Sequence, residues 1–180
     1  MITKIVISAF CYLICCIFEN VILQKEEIRI KQIWILFGIS LPALLWFNVP
    51  FIAIMCYPLL VGQCFIDFTK LELSDYNNAM LFLASMIYSF QNGFNFKSFI
   101  IIGVLFFLLY LMPFSNMGFG DVKMLFATAL FVPSKLILSY IFYMLAISLV
   151  IGICYKIFKK QNEFPMGPAI AIMSFVIQII

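Results

Sequence analysis

Charge is nearly absent from this chain over one long apolar run after another. Hydrophobic residues make up 66% of the 180 residues, charged ones only 11%, and the mean hydropathy is +1.15. A soluble domain carries about 25% charged residues. So few charges cannot cover a surface in water, whereas a surface in lipid needs almost none. We therefore expect an all-α, polytopic membrane helix bundle with about six to eight transmembrane segments. Apolar runs lie near 4–22, 33–48, 50–67, 76–91, 98–115, 122–133, 136–155 and 165–180. The sixth is short for a full crossing and the eighth is marginal, since a helical span takes roughly 17–25 residues. Pro50, Pro113, Pro133 and Pro165 fall at run edges, where helices begin or end, while Pro42 and Pro58 lie inside runs and are expected to kink them.

The chain is too short for two membrane domains, so residues 1–180 are read as one. Residues 1–48 form amino-terminal spans joined by a short loop, and 50–180 form the core. Lys4 and the apolar run after it resemble a signal peptide. No small-residue cleavage site follows at Phe18-Glu19-Asn20-Val21, so we read a retained span. If eight runs cross and the amino terminus is outside, one side holds Lys25, Arg29, Lys31, Lys70, Lys123, Lys156, Lys159 and Lys160. The other holds Lys4, Lys97 and Lys135. The excess of basic residues makes the first side cytoplasmic. Asp67 and Asp121 both fall on it.

Several function classes drop out. With no histidine, the chain has no serine–histidine triad, cysteine–histidine dyad or histidine-ligated zinc. The six cysteines, Cys11, Cys15, Cys16, Cys56, Cys64 and Cys154, form no Cys-x-x-Cys pair and read as small buried hydrophobes. The net charge of +3 is scattered over short loops, so no nucleic-acid partner is expected. Neither a metal nor a cofactor is called for.

Among the eight acids, Glu26, Glu27 and Glu163 accompany loop lysines and read as solvated charges, while Glu19 sits near the inner end of the first run. Asp67 and Asp121 stand out because each lies at the end of an apolar run. A carboxylate there is costly unless it is paired, solvated through a cavity, or protonated. Two carboxylates brought together share one proton, so one can take a proton from water while its partner protonates a carbonyl oxygen. Gly118 and Gly120 leave room beside Asp121 for a substrate backbone. The plainer alternative pairs Asp67 with Lys70 and Asp121 with Lys123 as ordinary juxtamembrane charges.

Three stretches in order weigh against that alternative. Asp67-Phe68-Thr69-Lys70-Leu71-Glu72-Leu73-Ser74-Asp75 resembles an Asp-x-x-x-x-x-Ile-Pro-Asp/Asn pattern, with Leu73 for Ile and Ser74 for Pro. Gly118-Phe119-Gly120-Asp121-Val122-Lys123, preceded by Met117, carries a Gly-x-Gly-Asp signature with its trailing Lys. Pro165-Met166-Gly167-Pro168 stands where Pro-Phe-Gly-Pro is expected. Together they resemble the type 4 prepilin peptidases, membrane aspartic peptidases, over about residues 55–175.

The resemblance implies Asp67 and Asp121 as the catalytic pair, with Asp75, Gly118, Gly120, Lys123, Pro165, Gly167 and Pro168 in support. It also implies a prepilin or pseudopilin substrate helix as partner, embedded with the enzyme in the bilayer of a bacterial cell membrane. Such substrates carry a short basic leader ending in Gly. Phe18-x-Asn20-Val21 faintly resembles the family's Ser-Phe-x-Asn-Val, but the cysteine-paired cytoplasmic insert of long members shrinks to about residues 23–32. Cleavage is therefore the activity expected, rather than S-adenosylmethionine-dependent methylation. The composition hints at an AT-rich genome and a competence pseudopilus.

A preflagellin-type peptidase shares the Gly-x-Gly-Asp element. A presenilin-like enzyme would show Tyr-Asp and Pro-Ala-Leu, where this chain has Ile66-Asp67 and Pro-Met-Gly-Pro. From another class, a transporter or assembly subunit would use the two acids as a proton or cation site. It would also show repeat symmetry, which the sequence lacks. A catalytically dead scaffold would not need both acids.

Overall fold

The computed structural model describes residues 2–28, 37, 38, 40, 50–93, 95–112, 118–160 and 163–179. The expected second span at 33–48, with Pro42, lies almost wholly outside the described residues, as do Arg29, Lys31, Pro113 and Met117. Among the described residues the fold is entirely helical. Seven α-helices follow in order: α1 (Ile2–Lys25), α2 (Phe51–Lys70), α3 (Asp75–Asn92), α4 (Phe96–Leu111), α5 (Phe119–Thr128), α6 (Ile137–Lys159) and α7 (Gly167–Ile179). Two short 3-10 turns, Ala129–Phe131 and Ser134–Leu136, link α5 to α6.

Val6–Lys25, Phe51–Lys70 and Ser134–Phe158 are long and apolar enough to cross a membrane, and Phe96–Leu111 and Gly167–Ile179 are shorter apolar helices. The chain is a membrane protein built as a helical bundle. Many of its large apolar side chains are exposed, as a lipid-facing surface requires. On α1, Val6, Phe10, Leu13, Ile17 and Val21 face outward, while Tyr12, Cys16, Glu19 and Leu23 are buried on the other side. On α6 the outward face includes Leu138, Phe142, Leu149 and Ile153. Cys15, Cys16 and Cys56 are buried as the sequence suggested, but Cys154 is exposed on α6, because a lipid-facing helix has no need to bury a small apolar side chain.

Two helices anchor the bundle. α2 touches α1, α3 and α7; α5 touches α3, α4 and α7. α5 has ten residues, about 15 Å of rise, against a hydrocarbon core of about 30 Å. With Val122, Met124, Leu125, Ala127 and Thr128 buried, it is an internal helix, and its apolar run reflects burial within protein. Ala129 caps its end, its amide donating to the Leu125 carbonyl, and Val132 and Pro133 separate the two short turns that follow. Pro58 sits inside α2, whose helix runs unbroken from Phe51 to Lys70.

Helix ends carry unusual backbone. Glu27, Leu71 and Lys160 take φ of 61°, 56° and 54°. These are left-handed positions that follow α1, α2 and α6, where glycine would be the unstrained choice. The Leu71 amide donates to the Asp67 carbonyl at 2.9 Å, ending α2 just beyond Asp67 and turning the chain sharply into α3.

Candidate active site

Asp67 lies in the last turn of α2 and is only 3% exposed. The Gly167 backbone N–H donates to its Oδ2 at 2.7 Å. Gly167 is the first residue of α7, so the carboxylate is received by the positive end of a helix. Pro165 and Met166 lead into that end; Met166 supplies the carbonyl that accepts from the Ala169 and Ile170 amides, and Pro168 sits where its missing N–H loses no helix bond. A Cβ on residue 167 would stand 2.7 Å from Asp67 Oδ2 and 3.0 Å from Leu73 Cδ2. Only glycine permits this approach.

Asp121 occupies the first turn of α5, where Gly118 is the N-cap and its carbonyl accepts from the Asp121 amide at 3.1 Å. Helix α5 therefore begins at Phe119, earlier than the apolar run suggested, and Asp121 belongs to it. Among the described residues, Asp121 lies outside the helices long and apolar enough to span. Burial pushes its carboxyl up to about 6, and the Gly118 backbone amide pulls it the other way. A Cβ on Gly118 would meet Asp121 Oδ2 at 3.3 Å, and one on Gly120 would meet Leu73 Cβ at 3.2 Å.

Asp67 and Asp121 line one cavity of about 310 Å³, together with Leu73, Gly118, Gly120 and Lys123. The lysines go elsewhere: Lys70 pairs with Glu26 at 2.8 Å and Lys123 with Asp75 at 2.8 Å. The alternative of Asp67–Lys70 and Asp121–Lys123 pairs is thus not what forms. Lys123 also lies 5.0 Å from the centroid of the Phe119 ring, and the Asp75–Lys123 pair stands at the exposed rim of the same cavity. Pro165 and Pro168 contribute through the backbone they shape.

Some of the architecture was not foreseen. Leu73 packs between Gly120 and Gly167, so the three separated motifs meet at one apolar side chain. Gln63 donates to the Ser74 carbonyl at 3.1 Å and to Asn78 Oδ1 at 2.8 Å, and accepts from the Ser74 amide at 3.0 Å, stapling the turn that follows Asp67. A glutamine amid the apolar residues of α2 was the available signal; nothing marked Leu73.

A helical bundle with helices long and apolar enough to cross a membrane, and with buried Asp67 and half-buried Asp121 lining one cavity beside glycine-shaped backbone, defines a membrane protein with two acids at one site. Residues 53–157 match the model of the type IV leader peptidase family. The chain belongs to that family and is a membrane peptidase. Neither the curated proteins nor the solved structures contain a match to it.

Proposed function

We propose that Asp67 and Asp121 act as one aspartic pair that removes the leader of a prepilin or pseudopilin. The cut falls after a Gly at the cytoplasmic membrane face, with the amino terminus of the peptidase outside. The carrying observation is that both acids face one cavity while their neighbouring lysines are engaged with Glu26 and Asp75. One carboxylate takes a proton from water, whose oxygen attacks the scissile carbonyl carbon. The partner acid gives its proton to the carbonyl oxygen. Collapse of the tetrahedral intermediate breaks the C–N bond, and the leaving amine takes up the remaining proton.

A second cavity of about 540 Å³ supports an apolar substrate segment. Phe82, Phe107, Phe119 and Phe126 line it, with Ala79 and Ala127 leaving depth, and it shares Asp75, Phe119 and Lys123 with the acid cavity. A peptide entering past the Asp75–Lys123 rim can lay its apolar side chains there while its scissile bond lies by the acids.

The test is cleavage in membranes of a pilin-like substrate with a basic, Gly-ended leader. Wild type is expected to cut after the Gly. Asp67→Asn and Asp121→Asn should insert normally and lose activity by on the order of 10²–10⁴-fold. Normal processing by either variant would mean that its acid takes no part in the chemistry.

A further inference from the structure

Glu19 is the most deeply buried acid outside the candidate pair. It lies on the inward face of α1, is 0% exposed, and sits opposite Gly62 of α2, where any Cβ would collide with its carboxyl group. Its Oε1 accepts from Asn77 Nδ2 at 2.8 Å, and Asn77 is also 0% exposed. The ion pairs among the described residues, Lys70–Glu26 and Lys123–Asp75, do not include it. A charged carboxylate enclosed with one hydrogen bond would be severely penalised.

The unpartnered atoms indicate how the group is accommodated. Glu19 Oε2 and Asn77 Oδ1 are both buried without a donor among the described residues, and they belong to two side chains already joined by one bond. A carboxylic acid and a primary amide have complementary edges, each offering one donor and one acceptor. One proton on Oε2 would turn two orphaned acceptors into a second hydrogen bond.

We propose that Glu19 is a positioning residue of this peptidase: as a neutral acid it closes a two-bond pair with the Asn77 amide, locking α1 to the head of α3 behind the catalytic cavity. Asn77 lies in the first turn of α3, next to Asn78, which Gln63 holds from α2. Gly62 and Gln63 stand about one turn before Asp67. The turn between α2 and α3 is thereby gripped by Gln63 on one side and by Glu19–Asn77 on the other. That turn carries Leu73 into its seat between Gly120 and Gly167, each of which neighbours one aspartate's position. The effect on catalysis rests on the proposed cleavage reaction; the pair itself does not.

The experiment therefore has two readouts on the full-length protein in membranes. The first is the infrared C=O stretch of a protonated carboxylic acid, compared with and without Glu19→Gln in an Asp67→Asn/Asp121→Asn background where those two acids contribute nothing. Loss of a band with Glu19→Gln is expected; no change overturns the proposal, whatever the substrate proves to be.

The second is cleavage of the pilin-like substrate. Glu19→Gln, whose amide can make both bonds to Asn77, should keep kcat within about threefold and leave the pH profile unmoved. Glu19→Leu should lower kcat by about 10²-fold, as expected when reacting groups are misplaced by about 1 Å. If Glu19→Leu fails to insert, Glu19→Leu/Asn77→Leu replaces both partners with apolar groups, leaves no orphan and should insert with the same loss. Wild-type kcat in the inserted leucine variant, or equal damage from Gln and Leu, overturns the positioning role. If wild type cleaves no substrate, the reading of the reaction fails and the infrared band still decides the pair.

Discussion

Asp67 and Asp121 reach their cavity because small residues make space for them. At Gly167 the tolerance is least: its amide holds Asp67 Oδ2 at 2.7 Å, while a Cβ would press on that same oxygen and on Leu73. Retreat of the backbone would relieve the clash only by lengthening the hydrogen bond. Gly167→Ala is expected to leave the protein inserted and reduce cleavage by about 10²-fold, a misplacement effect; Gly118→Ala, with a single 3.3 Å contact, should be milder. Equal, wild-type rates in both would show that this approach is not needed. Protonation supplies a second expectation. Burial raises the Asp121 carboxyl, so it gains a proton as pH falls through about 6. Where Asp121 is the member that takes the proton from water, its protonation removes the base, and cleavage should decline on the acid side of that value. A rate that stays flat down to about pH 4.5, near an ordinary carboxylate, would contradict this assignment.

The turn between α2 and α3 is the element that joins sequence to site. Leu71 accepts a left-handed backbone at φ 56°, and Gln63 satisfies both the amide and the carbonyl of Ser74. Gln63→Leu would orphan those buried groups and Asn78 together. It should destabilise the bundle by roughly 2–4 kcal/mol, because each stranded polar group costs about 1–3 kcal/mol and some relaxation is expected. A thermal-unfolding midpoint unchanged from wild type would refute that role. This element also shows the limit of reading the chain alone. The apolar run at 50–67 and the break after it located α2 and Asp67, since periodicity and charge are local. The seat of Leu73, the hydrogen bonds of Gln63 and the union of Glu19 with Asn77 depend on side chains brought together from distant positions. Ser74 in place of proline proved compatible with the turn, because Gln63 holds its backbone.

The whole molecule follows lipid rules at its rim and protein rules at its centre. Hydropathy identified all seven described helices, with ends displaced by a few residues. It could not separate the outward faces of α1 and α6 from α5, since a helix buried in protein and a helix bathed in lipid are equally apolar. Among the described residues, three helices are long and apolar enough to span, while the tally of basic residues assumed eight crossings, so sidedness needs its own test. Glu72 lines the acid cavity, and in a cysteine-free background Glu72→Cys should react with a membrane-impermeant maleimide from the cytoplasmic side. Labelling only from outside would reverse the orientation proposed here.

The central claim, that two acids form one catalytic unit, is tested most directly by comparing Asp67→Asn, Asp121→Asn and the double variant in the same cleavage assay, with insertion verified for each. Residues that act as a unit are strongly non-additive. The account predicts that the double variant is no slower than the slower single variant. Losses that multiply in the double variant, or a single variant that cuts at the wild-type rate, would contradict it.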